Sequence, residues 1–164
     1  MEKIVKVFND VRGYTYDTIL DLLFTTERLL ILQILGPTDG RDLKLAPNLL
    51  SLFIGSSGIR RAEGVRRYQI ALERRRKLMR LTPEQITKEE GCLIDVPYNL
   101  LSKVVFRKGL LERSVTFFFE IKGVQRSISV KVTREQYEDM WKFIGEVAPL
   151  IREEKKLKWI SHHI

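Results

Sequence analysis

From Leu101 onward the chain carries the alternating pattern of paired strands. Leu101 to Arg107 is followed by Val115-Thr116-Phe117-Phe118-Phe119-Glu120-Ile121, a turn at Lys122-Gly123, and Ser127-Ile128-Ser129-Val130-Lys131-Val132 in strict period two. That period turns successive side chains to opposite sides of a sheet, so the stretch predicts a meander of antiparallel strands with an apolar face. Such a face has to be covered, and the next segment supplies the cover. Thr133 and Gln136 form a capping box, and Tyr137, Met140, Trp141, Ile144, Val147 and Ile151 line one side of an amphipathic helix that bends or ends near Pro149.

The amino-terminal part repeats the strand signal. Ile4 to Phe8, Ile19 to Phe24 and Leu29 to Leu35 read as strands, the last two joined through Thr25-Thr26-Glu27-Arg28 as a hairpin. Gly36-Pro37-Thr38-Asp39-Gly40 closes this portion, after which the periodicity becomes helical. A long basic helix runs into Leu81-Thr82-Pro83-Glu84-Gln85, where Thr82 and Gln85 form a second capping box and Pro83 suits the first helical position. The short helix this starts should end near Gly91, and strand signals return at Asp95. With 164 residues the chain suits one α+β domain over residues 1–152, with 36–92 as a helical insertion and 153–164 as a charged, flexible tail.

Two segments carry a family likeness. Leu23-Phe24-Thr25-Thr26-Glu27-Arg28-Leu29-Leu30-Ile31-Leu32 resembles the hairpin of GRAM-like and prokaryotic pleckstrin-homology domains, and Asp95-Val96-Pro97-Tyr98-Asn99-Leu100-Leu101-Ser102-Lys103-Val104 is similar to a later strand of the same domains. The resemblance covers roughly residues 1 to 35 and 93 to 151. It implies a partly open antiparallel β-barrel capped by the carboxy-terminal helix, and a binding or scaffolding module rather than an enzyme. The chain departs from the family in two ways. It carries the insertion between strands, and its first hairpin loop, Asn9-Asp10-Val11-Arg12-Gly13-Tyr14, lacks the basic cluster through which such domains hold phosphoinositides.

Charge is concentrated in the insertion. The chain's formal charge is +8, yet residues 60–80 alone hold nine basic side chains against Glu63 and Glu73, which leaves the remainder nearly neutral. Val65, Tyr68, Leu72 and Met79 fall on one narrow helical stripe, so the ordinary expectation packs that stripe on the domain and turns Arg60, Arg66, Arg67, Arg74 and Lys77 outward. Like charges this close are better tolerated beside an anion. The anion-binding candidates are therefore Arg60, Arg61, Arg66, Arg67, Arg74 and Lys77. Gly55-Ser56-Ser57-Gly58 leads into the helix and could receive a phosphate on free backbone N–H groups, although a plain turn explains it as well.

Recognisable catalytic chemistry is missing from the sequence. Cys92 is the single cysteine, and His162 and His163 sit in the tail, so no cysteine-rich zinc site or activated thiol can be assembled; no P-loop, H-E-x-x-H or G-x-S-x-G occurs. Acidic pairs such as Asp39 with Asp42, or Glu89 with Glu90, lie in turns and near helix ends. No enzyme activity, cofactor, metal or small-molecule substrate is expected. Met1-Glu2-Lys3, with Asp10 and Arg12 close behind, does not read as a secretory signal. The longest uncharged run, Leu45 to Ile59, is shorter than the ~20 residues of a spanning helix.

The leading expectation is a cytoplasmic module bound peripherally to an anionic membrane surface, with Leu49, Leu50, Leu52, Phe53 and Ile54 dipping into the interface and the arginines meeting headgroups. Two alternatives stand beside it: nucleic-acid binding through residues 60–80, and a protein or homodimer contact through the insertion.

Overall fold

The structure is a computed structural model that describes residues 2–14, 17–37, 39, 56–148 and 151–156, with side chains described for all of these except 56–62 and 154–156. The element order is β1 (Ile4–Gly13), β2 (Ile19–Thr25), β3 (Arg28–Leu35), α1 (Ser56–Leu78), α2 (Pro83–Ile86), β4 (Cys92–Pro97), a 3-10 turn (Tyr98–Leu100), β5 (Leu101–Lys108), β6 (Arg113–Ile121), β7 (Val124–Val132), α3 (Arg134–Val147) and β8 (Arg152–Lys156). The strands form one open sheet in the order β4-β3-β2-β1-β7-β6-β5-β8. All neighbours are antiparallel except β5 and β8, which run parallel. The result is an α+β fold with a sheet that does not close.

Strands β2 and β3 explain their own composition. Their apolar runs are nearly unbroken because both faces are buried, as continuous rather than alternating hydrophobic strands require. Leu20, Leu22, Phe24, Leu29 and Ile31 turn into a core shared with β1, β4, β5, β6, β7 and α3. Leu23, Leu30, Leu32 and Ile34 turn the other way, into a second cluster with Ala71 and Leu78 of α1 and Ile86 of α2. Strands near both ends of the sheet reach the first core, so the sheet curves around it.

Helix α3 lies in that curve. Its capping box is formed, with Thr133 Oγ1 accepting from Gln136 N at 3.2 Å and Gln136 Oε1 accepting from Thr133 N at 2.9 Å. Tyr137, Met140 and Ile144 are buried, and the rings of Tyr137 and Trp141 both meet Phe106 edge-on. Val147, expected on the same stripe, is exposed because the helix ends there. The chain then returns as β8, so residues 153–156 of the expected tail pair alongside β5. Arg152 anchors this return by donating to Trp141 O at 2.9 Å with its guanidinium over the indole ring. It occupies the space that a side chain at Gly145 would fill.

The hairpin turns follow ordinary chemistry at one end of the meander. Lys122 and Gly123 both have positive φ, 51° and 74°, as a two-residue turn of the mirror-image type requires. At the other end, Gly109 N donates to Glu112 O at 2.9 Å, and Leu110 and Leu111 occupy the tip.

Candidate functional site

The expected orientation of the basic helix is reversed. Val65 and Tyr68 of α1 and Met79 just past its end are 58%, 63% and 64% exposed while Leu72 is half-buried, so most of the expected apolar stripe faces water. The side that meets the sheet is Arg67, Ala71, Arg74, Arg75 and Leu78, which fall within an arc of ~100° at helical spacing. The reason lies in the sheet. β2 places Asp21 in the middle of the face that receives the helix, and the β3 end of the same region offers uncovered carbonyl groups and Asp39. The buried Asp21 carboxylate and the partly covered carbonyls there need donors more than the stripe needs cover, because unpaired buried polar groups are the costlier fault.

Each arginine on the inner side has a defined role. Arg75 Nε donates to Asp21 Oδ2 and Nη2 to Asp21 Oδ1, both at 2.7 Å, and Nη2 also reaches Asp10 Oδ1 at 2.7 Å. Asp21 in turn accepts from the Asp10 amide at 3.0 Å, where Asp10 takes a positive φ of 58° beside a register shift in β1. These carboxylates, Asp21 first, raise the Arg75 guanidinium above its ordinary value against the opposing effect of burial. Arg74 bonds Ile34 O at 2.6 Å and grips the Asp39 carboxylate with both Nη atoms at 2.5 and 3.2 Å. Asp39 is held below the usual carboxylate range chiefly by Arg74. Arg67 donates to the carbonyls of Asp39 and Asp17, each at 2.6 Å.

Among the anion-binding candidates, therefore, Arg67 and Arg74 are turned toward the sheet and hold partners within the chain, although Arg74 keeps 42% of its side chain exposed. Lys77 pairs with Glu89 Oε2 at 2.5 Å. Arg66 is exposed and is engaged in an interaction within the chain. The backbone of Arg60 and Arg61 belongs to α1, whereas their side chains lie outside the described residues, as do Leu49, Leu50, Leu52, Phe53 and Ile54. Arg75, the best anchored of the basic residues, is not singled out by spacing. Its signal is the lone Asp21 inside the apolar run of β2.

The outer side of α1 is left with Val65, Tyr68 and Met79 beside the exposed Arg76 and Arg80, which have no ion pair among the described residues. Between the helix, the turn at Gly36 and the α2–β4 connection lies an open cavity of about 620 Å³, where Arg74, Lys77 and Lys88 face Asp39, Glu89 and Glu90. Its charges are balanced, so it selects for neither sign.

No arrangement of three or more His, Cys, Asp or Glu side chains suited to a metal occurs among the described residues, and no helix there is long and apolar enough to cross a membrane. Burial pushes the Cys92 thiol up to about 11, which keeps it protonated and a poor nucleophile at neutral pH. Comparison with known proteins finds no counterpart: no family model, no curated protein and no solved structure matches this chain.

Proposed function

We propose that the chain is a non-enzymatic binding module of pleckstrin-homology-like architecture that associates peripherally with anionic membrane surfaces through the outer side of α1. The observation that carries this reading is the outward stripe of Val65, Tyr68 and Met79 in the company of Arg76 and Arg80. Apolar side chains held in water beside unpaired cations suit the interfacial layer of an anionic bilayer, where each cation contributes ~1 kcal/mol and the apolar groups add the second anchor that stable binding needs. Leu49, Leu50, Leu52, Phe53 and Ile54 immediately precede α1 in sequence and would extend the apolar contact. Nucleic-acid binding is the weaker reading, since Arg67, Arg74 and Lys77 are already engaged by partners within the chain.

Vesicle co-sedimentation tests the proposal. The chain is expected to pellet with phosphatidylglycerol-containing vesicles and not with pure phosphatidylcholine, and the Tyr68→Glu/Met79→Glu variant to lose about tenfold in partitioning. Equal binding to both vesicle types, or binding to neither, would overturn it. A mobility shift with duplex DNA by a chain that ignores vesicles would favour the nucleic-acid reading instead.

A further inference from the structure

The β5–β6 hairpin tip poses a separate question. Leu110 and Leu111 are 76% and 89% exposed, the highest values for any large hydrophobic side chain among the described residues. Neither joins a core cluster. Turn conformation does not call for them either, because tips favour Gly, Asn, Asp, Pro or Ser for their backbone preferences. The Lys122-Gly123 turn at the opposite end of the same meander obeys that preference.

The surroundings of the tip are cationic. Lys108 and Arg113 pair across its base. Leu111 borders a cleft of about 400 Å³ that also includes Arg12, Arg113, Lys131 and Arg134 against Asp10 and Glu112. Both of those carboxylates are engaged, Asp10 by Arg75 and Glu112 by Lys131, while Glu138 nearby is engaged by Arg134. Arg12, Lys108 and Arg113 form no close ion pair among the described residues, although Glu138 also feels the charges of Lys108 and Arg113. A four-residue turn exposes roughly a few hundred Å² of apolar surface at most, well short of the ~800 Å² per partner of a stable protein interface. Two leucines on a narrow tip flanked by Arg12, Lys108 and Arg113 instead match a layer that is apolar below and anionic above.

We propose that the β5–β6 tip inserts into an anionic lipid surface, with Leu110 and Leu111 entering the interfacial layer while Arg12, Lys108 and Arg113 meet headgroups. The inference rests on the reading of the chain as a membrane-surface module and names a second part that makes contact. Glu112 of the tip shares one cavity with Tyr14, Lys131 and Arg67 from the inner side of α1, so the tip is a contact distinct from the outer stripe of that helix.

The test uses the full chain and vesicles of equal parts phosphatidylcholine and phosphatidylglycerol. Leu110→Asp/Leu111→Asp is expected to lower partitioning at least about tenfold, with thermal unfolding unchanged because both side chains are exposed. Lys108→Glu/Arg113→Glu should abolish the preference for anionic over neutral vesicles. In a Leu111→Trp chain, emission should move to the blue with anionic vesicles and be quenched by brominated lipid chains. If the native chain binds no vesicles, the module reading fails and this one with it. If the native chain binds and Tyr68→Glu/Met79→Glu weakens it, but the Leu110→Asp/Leu111→Asp variant binds as the native chain does and emission of the Leu111→Trp chain stays unshifted, the tip proposal alone is overturned. A lipid-free dimer that Leu110→Asp/Leu111→Asp dissociates would also overturn it, in favour of a protein contact.

Discussion

Replacing Asp21 with alanine is expected to cost about 3 kcal/mol of folding stability. Asp21 lies on the face of β2 that receives α1, and both the carboxylate and its partner Arg75 are largely removed from water. Taking away the carboxylate strands a desolvated guanidinium, and it also removes the acceptor that holds the Asp10 amide at the irregular point of β1. Asp10 still reaches Arg75, but from a more exposed position, so it offsets only part of the loss. Arg75→Ala should cost a similar amount by the converse route, leaving Asp21 buried and charged. The double variant Asp21→Leu/Arg75→Leu should return to within about 1 kcal/mol of the native chain, since a buried ion pair replaced as a unit by apolar groups is close to neutral. Denaturant midpoints at constant slope read all three. A single-variant loss under about 0.5 kcal/mol would mean that the pair behaves as a solvated one and does not seat the helix.

Phe106→Ala should be at least as damaging, at about 3 to 5 kcal/mol. Phe106 is fully buried on β5, with ring centroids 5.4 Å from Tyr137 and 5.0 Å from Trp141, both in edge-on geometry. Its removal opens a cavity between the sheet and α3 and deletes two aromatic contacts that each add about 0.5 to 1.5 kcal/mol beyond area burial. The first turn of α3 is held independently by its capping box, so the helix should loosen on the sheet before it unwinds. Unfolding curves should therefore shift well to lower denaturant while far-UV helicity under native conditions changes little. An unaltered midpoint would show that α3 is not packed on Phe106.

Much of the architecture can be read from local chemistry. The two capping boxes, the Lys122-Gly123 turn and the alternation from Ser127 to Val132 depend only on neighbours in sequence, and each forms as the pattern implies. The double-sided burial of β2 and β3 is present in their apolar runs, broken inside each strand only by Asp21 and Gln33. Position along the sheet is not: β8 reads as a charged stretch because an edge strand needs no apolar alternation, and its pairing with β5 depends on where α3 delivers the chain.

Helix α1 defeats the sequence pattern for a sharper reason. Hydrophobic periodicity ranks Val65, Tyr68, Leu72 and Met79 above the arginines as the inward side, but it takes no account of what the receiving surface lacks. Asp21, Asp39 and the carbonyls of Asp17 and Ile34 require donors, and Arg67, with Arg74 and Arg75 about two turns further along the helix, provides them. A single carboxylate inside an apolar strand is the available clue. The same blind spot hides the tip, since Leu110-Leu111 between Gly109 and Glu112 looks apolar in sequence and acquires its meaning only from being outside every core.

The inward arginines and outward apolar stripe of α1 are tested most directly by thiol labelling at two adjacent positions. In a Cys92→Ser chain, Leu78→Cys and Met79→Cys differ by one residue yet replace side chains of opposite burial, 9% and 64% exposed. Met79→Cys should react with a maleimide nearly as fast as the unfolded chain does, and Leu78→Cys about a hundredfold or more slower, limited by opening of the helix from the sheet. Equal rates, or faster labelling at position 78, would place the apolar stripe against the sheet and contradict this orientation of α1.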